Sequence, residues 1–324
     1  MTSRRPVPRL LLAASGARLA HAALTRMQPG GEKTWTRTNH RGEPVTLLEG
    51  PAVTIAAAAA ALAVPGLDAG QRLALGVAGA GSGAFGCYDD LAESGDRRGF
   101  RGHLGALAKG EVTTGAIKLV GIGVVGLAAS LVLDRADRRD SARRPAGRAA
   151  DVVVNAGLVA GSANLMNLFD LRPGRAIKVS LLAGAALALR GPGARAAVAA
   201  PAGAAAALLP EDLGERAMLG DSGANALGAM LGVAAASSLS RSARLSVLAV
   251  VAGLTAASEQ VSFTKVIART PPLHWLDMLG RRPGPAPAGP ATGAAHPVVQ
   301  AAGGMPLDRQ ASQTPAAADT PHPQ

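Results

Sequence analysis

The sequence predicts an all-α, polytopic membrane protein of about nine to ten transmembrane helices, and three observations predict it. Of the 324 residues 48% are hydrophobic, and they gather in runs of Ala, Leu, Val and Gly about as long as a bilayer core is thick, separated by short polar loops. One such run, Gly115–Leu133, carries a single charge, Lys118, near one end. Ala and Gly abound, which suits close helix packing in lipid, while aromatics at 2% leave almost no interfacial belt of Trp and Tyr. An Ala-rich soluble helical bundle is the alternative, and runs so poor in charge fit it less well.

Taken in order, the predicted spans are 9–25, 45–65, 71–87, 115–133, 151–169, 176–190, 194–209, 218–238 and 244–262. The first follows the basic stretch Thr2–Arg9. Arg18 and His21 interrupt it, so it reads as a marginal first helix rather than a cleaved signal. The second and third are rich in Ala, Leu, Gly and Val, the third ending just before Asp89-Asp90. The fourth holds Lys118, the fifth ends at Asp170, and the eighth begins around Asp221. The pair 176–190 and 194–209 is short for a straight crossing of ~20 residues. Residues 1–280 form one predicted integral membrane domain. Residues 281–324, rich in Pro, Ala, Gly and Gln, are expected to be a disordered tail.

Composition also removes classes. The net charge of +11 comes mostly from loop Arg and suits an anionic membrane surface. No basic helix has interleaved aromatics, so no nucleic-acid partner is expected. Cys87 is alone, which excludes an internal disulfide and a Cys-based zinc site. No Gly-xxxx-Gly-Lys loop occurs, so a nucleoside-triphosphatase phosphate site is not expected.

Nine alternating crossings put loops 26–44, 88–114, 170–175, 210–217 and 263–280 on one side, and 134–150, 191–193 and 239–243 on the other with the N-terminus. Asp89, Asp90, Asp170 and Asp221 then share one face with Arg37, Asn39, Lys109, Lys118, Asn164, Asn167 and His274. A carboxylate at a membrane boundary is costly without water, a cation or a partner, so these are candidate site residues. The positive-inside rule supports this face more weakly, because loop 134–150, with six Arg, falls on the opposite side.

Three constellations could do chemistry. In Phe85-Gly-Cys-Tyr-Asp-Asp-Leu-Ala-Glu93, adjacent carboxylates at a helix end can share a hard cation, and Mg²⁺ takes oxygen ligands while keeping waters or phosphates. A solvated helix end is the plain alternative. In Asn164-Leu-Met-Asn167-Leu-Phe-Asp170, spacing of three puts two amides and a carboxylate on one helical face, suited to a sugar, a base or a metal's outer shell. Interhelical hydrogen bonding is the alternative. In Met218-Leu-Gly-Asp221-Ser-Gly-Ala-Asn225-Ala-Leu-Gly228, an acid opens a helix of small residues that another helix or a phosphate can approach closely, and Asp221 reads equally as an N-cap. Lys109, Lys118, Arg172, Arg175 and Lys178 could neutralise a diphosphate, with Lys118 singled out by its apolar boundary. His274 could meet phosphate or substrate.

At these residues the chain resembles the polyprenyl-phosphate N-acetylhexosamine-1-phosphate transferases (glycosyltransferase family 4). These include phospho-MurNAc-pentapeptide translocase and the UDP-GlcNAc:undecaprenyl-phosphate GlcNAc-1-phosphate transferases. The matching pieces are Tyr88-Asp-Asp-Leu-Ala-Glu93, Asn164–Asp170 and Leu219–Gly228, in family order across roughly residues 30–280. The resemblance implies Mg²⁺-dependent transfer, with Mn²⁺ as a substitute, of a sugar-1-phosphate from a UDP-sugar to a polyprenyl phosphate. It places the reaction at the cytoplasmic face of a multi-pass plasma-membrane protein in cell-envelope glycan synthesis. It implies Asp89, Asp90, Asp221 and Lys118 as catalytic, with Asp90 and Asp221 on the metal. It also implies Asn164, Asn167, Asp170, Asn225 and His274 as substrate-binding. Membrane lipids and a homodimer are compatible partners. Four features depart from the family. The second motif continues Asp170-Leu-Arg-Pro-Gly174 instead of Asp-Gly-x-Asp-Gly, the His-rich loop is reduced to His274, Ala224 replaces a Ser, and nine spans stand where the family typically has ten or more. They imply, as the alternative, a non-catalytic relative that binds lipid-linked sugars or scaffolds envelope assembly.

Overall fold

A computed structural model describes residues 7–92, 113–137 and 145–283. In it the apolar runs are helices: α1 (Val7–Met27), α3 (Glu49–Ala63), α4 (Ala69–Ala92), α5 (Thr114–Asp137), α6 (Pro145–Phe169), α7 (Arg175–Ala188), α8 (Pro192–Leu213), α9 (Gly220–Ser238) and α10 (Arg241–Ser258). These nine coincide with the nine predicted spans to within a few residues at each end. Ala favours them because it loses no side-chain entropy in a helix. Local chemistry sets their ends. Val64, extended before Pro65, stops α3. The Asp68 carboxylate accepts from Gln71 N at 2.8 Å to open α4, left-handed Gly174 (φ 71°) precedes α7, and the Ser240 hydroxyl caps α10.

Two predicted loops are corrected. Segment 26–44 contains a short helix, α2 (Glu32–Trp35), and leads into an antiparallel hairpin of β1 (Thr36–Thr38) and β2 (Pro44–Thr46). Segment 263–280 holds α11 (Phe263–Arg269) and α12 (Pro271–Met278). The all-α expectation otherwise stands. Strands of three residues are too short for a period-2 pattern to be visible in the sequence.

The centre of the bundle is α9. Every residue from Ser222 to Ala236 is buried, as expected of a helix apolar all round, and α3, α4, α6, α7 and α8 pack about it. Small residues make this possible. A Cβ on Gly228 would strike the Ser162 carbonyl, and one on Gly232 would meet Val159 Cα at 2.6 Å, so the Gly228-xxx-Gly232 pair is where α6 crosses α9. The first helix belongs to this bundle, with Ala13 and Ala17 fully buried and α1 packed on α3 and α8.

By length and composition two helices could cross a membrane: Thr114–Ala136 with mean hydropathy 2.2, and Ala146–Phe169 with 1.5. A third candidate arises if α10 and α11, bent by 97°, count as one span. Glu93, Lys109, residues 138–144 and the tail beyond 283 lie outside the described residues.

Candidate functional site

Helix α9 begins inside the protein, where its first N–H groups cannot reach water and need partners. Leu219 precedes it and offers no side-chain cap. Asp90, from the end of α4, fills the role: Oδ1 accepts from Asp221 N and Oδ2 from Ser222 N, both at 3.0 Å. A carboxylate is well placed there, because the N-terminus carries the positive end of the helix dipole. Asp221 is therefore not a self-cap, and its side chain is released to point elsewhere. The approach depends on Gly86, where a Cβ would run into the backbone of Asp221 and sit 2.7 Å from Ser222 N.

The Asp221 carboxylate meets Lys118, which reaches in from the first turn of α5. The same ammonium lies 2.5 Å from Asp89 Oδ2. Asp89 is 8% exposed, and the Lys118 side chain is 13% exposed. Three separate helices thus bring together all four residues expected to be catalytic. Arg37 of the hairpin closes one side by donating to the Asp90 carbonyl at 2.5 Å.

Asp170 flanks this cluster in the turn after α6. Burial raises its carboxyl well above the usual carboxylate range, and the nearby acids Asp212, Asp221 and Asp90 add to that, while the Gly220 N–H pulls the other way. The neutral form is favoured, and a neutral carboxyl both donates and accepts hydrogen bonds. Asn164 and Asn167 are half-buried on the same helix end. Asp170 also lines a cavity of about 220 Å³ together with Asn39, His40, Arg172, Asp212 and Glu215. The His40 imidazole is held below its ordinary pKa by burial, with further lowering from Arg172, against the pull of Glu215.

Other expected residues are placed differently. Asn225 is buried at 1% exposure one turn below Asp221, inside the helix core. His274 is exposed on α12, and among the described residues no hydrogen bond or ion pair joins it to the four-residue cluster. Arg175 is committed to Asp277 through two bonds of 2.7 and 3.1 Å, and Lys178 donates to the carbonyls of Leu276 and Asp277. Both fasten α12 to the bundle.

Four buried acids went unnoticed in the sequence: Glu49, Asp212, Glu215 and Asp277. Glu49 and Asp212 are 0% and 3% exposed and lie close enough to Asp170 to interact electrostatically with it. Glu49 stands at the start of the Ala-rich run 51–64, so the boundary-acid rule that flagged Asp89 would also have found it. Glu215, buried at 4%, accepts from Asn39 Nδ2 and Arg41 Nε at 2.8 Å, tying the hairpin to the turn after α8. A larger cavity, about 340 Å³, opens at the opposite helix ends among Asp68, Asp134, Arg148, Asp151 and Arg244, and holds none of the motif acids.

Asp89 and Asp221 turn oxygens toward one positive group, and hard oxygen donors of this kind suit Mg²⁺ when waters or phosphate oxygens complete its shell, although among the described residues no three His, Cys, Asp or Glu side chains are grouped as a metal site. No protein-family model and no curated protein sequence matches the chain.

Proposed function

We propose that this protein is a multi-pass membrane phosphotransferase of about nine spans. It moves a sugar-1-phosphate from a UDP-sugar to a polyprenyl phosphate at the cytoplasmic face of the plasma membrane. One observation carries the reading: Asp89, Lys118 and Asp221, from three helices, meet at the α9 N-terminus that Asp90 fixes. The order of the three sequence motifs supports it.

In the reaction, an oxygen of the polyprenyl phosphate attacks the β-phosphorus of the UDP-sugar. The bond from that phosphorus to the bridging oxygen breaks, and UMP leaves with the electron pair. Asp90 and Asp221 were the expected metal ligands, but both Asp90 oxygens accept from the α9 N–H groups, so Asp221 with Asp89, whose oxygens face one point, would hold Mg²⁺. Bound there, the ion supplies neutralisation of diphosphate charge. Lys118 swings between carboxylate and phosphate oxygens and stabilises charge on the leaving UMP. Asp90 keeps the α9 N–H groups aligned, and Asp170 with Asn164 and Asn167 offers donors and acceptors to the nucleotide-sugar.

Purified protein given UDP-sugars, polyprenyl phosphate and Mg²⁺ is expected to release UMP. Silence across the donor panel, with an authentic family enzyme active alongside, refutes the reading. The altered second motif favours a second reading, a non-catalytic binder or scaffold. Asp89→Asn and Asp221→Asn separate the two in vivo, since a scaffold survives both.

A further inference from the structure

The chain turns through 97° between α10 and α11, so if α10 runs along the bilayer normal, α11 runs along the membrane surface. α10 packs on α6 and shows Leu245, Val250 and Leu254 outward. The outward apolar face continues past the bend in Val261, Val266, Leu273, Trp275 and Leu279, with Trp275 66% exposed. Lys265 and Arg269 are exposed on the same short stretch.

The other side of this elbow is pinned. Arg175 grips Asp277 and donates to Thr264 Oγ1 at 3.0 Å. Lys178 holds two α12 carbonyls. Phe169 stacks on Phe263 with centroids 5.1 Å apart. The elbow's inner face is thus fixed to the bundle beside Asp170, and its apolar and basic residues are left facing out. These large apolar side chains between residues 261 and 279 are exposed, Trp275 most of all, and exposed apolar side chains gathered in one short segment mark a contact surface. Such a face matches an interfacial helix, with a Trp ring at headgroup level and cations that attract anionic lipid.

We infer that the α11–α12 elbow lies in the headgroup layer and binds anionic lipid headgroups through Lys265 and Arg269, with Val266, Trp275 and Leu279 inserted below them. The inference rests on the membrane reading above. It sets the depth of the acid-bearing helix ends and concentrates lipid phosphate at their rim.

The test uses the full chain in vesicles of phosphatidylcholine alone or mixed with phosphatidylglycerol. Trp35 is buried, and subtracting the Trp275→Phe spectrum isolates Trp275. With anionic lipid present, a nitroxide near the headgroup should quench Trp275 at least about twofold more than aqueous acrylamide does. Lys265→Gln with Arg269→Gln should remove most of the difference between the two lipid mixtures. A fluorophore at Val266→Cys, in a Cys87→Ala background, reads the same layer without relying on tryptophan. Alkaline carbonate extraction separates the failures. If it strips the chain from the vesicles, the membrane reading itself falls, and the elbow with it. If the chain stays embedded while acrylamide alone quenches Trp275, or a dimer shields it from both quenchers, the elbow inference is overturned and the phosphotransfer reading is untouched.

Discussion

Replacing Gly86 by Ala adds one methyl group and removes no functional group, yet it should disable the site. The new Cβ would strike the Asp221 backbone and lie 2.7 Å from Ser222 N, where ordinary contact begins at 3.4 Å. Backbone cannot rotate aside, and the Asp221 carbonyl carbon at 2.5 Å requires α4 and α9 to part by about 0.9 Å or more to restore normal contact. The two bonds that Asp90 accepts, now 3.0 Å each, would stretch to about 3.9 Å, beyond hydrogen-bonding range. Hydrogen bonds to a charged group contribute about 1.5–3 kcal/mol each. Helix propensity returns only about 0.5–1 kcal/mol when Gly becomes Ala. The net loss is about 3 kcal/mol, or a midpoint roughly 4–6 °C lower for a chain of this size. Thermal unfolding in detergent, followed by a thiol-reactive dye or near-UV circular dichroism, measures it. Gly123→Ala is the control, because a Cβ there meets nothing within 4 Å, and it should be neutral or slightly stabilising. A Gly86→Ala midpoint equal to that of Gly123→Ala would refute the close α4–α9 approach.

Asp277→Ala should destabilise by about 3 kcal/mol or more, because it leaves Arg175 buried without its partner; the same melting assay checks it. The pH dependence has a definite sign. Burial alone would raise the Asp277 carboxyl, but the hydrogen bond and charge of Arg175, with Arg281 and Lys178, bring it below its usual value. A depressed folded pKa contributes stability above the unfolded value and loses it as pH falls through the folded one. Wild type should therefore lose stability below about pH 4 more steeply than Asp277→Asn; parallel acid melts would disprove it. Gly228→Ala puts a Cβ onto the Ser162 carbonyl and 2.7 Å from Ala163 Cα, and should cost about 1–3 kcal/mol through overpacking. Lys118→Met should lower UMP release about 100-fold or more while the folded helix content by circular dichroism is unchanged.

Much of the helical fold was legible because a run of apolar residues and the loop that ends it are local properties. Lys118 stood out for the same reason, as the only charge in its run. Placing the acids at one end took only alternation of helix direction, and the helix ends of α4, α5, α6 and α9 do meet there. What was hidden depends on partners far apart in the chain. Asp90 caps a helix that begins 131 residues later, and Asp221 reads as a self-cap until that partner is known. Arg175 looked like a phosphate ligand because its true partner, Asp277, is 102 residues away. The hairpin strands are too short to show a pattern, although Gly42, at φ 81°, is the turn glycine that could have marked them.

The central claim is that a phosphate bond of a UDP-sugar is broken at the Asp89–Lys118–Asp221 cluster and remade on a lipid phosphate. A donor labelled in its β-phosphate tests this most directly. With polyprenyl phosphate and Mg²⁺, the label should pass into the organic-extractable lipid while unlabelled UMP stays in water, and Asp221→Asn should abolish the transfer. Label that remains in the aqueous phase with every donor, while an authentic family enzyme moves it in parallel, would contradict the account.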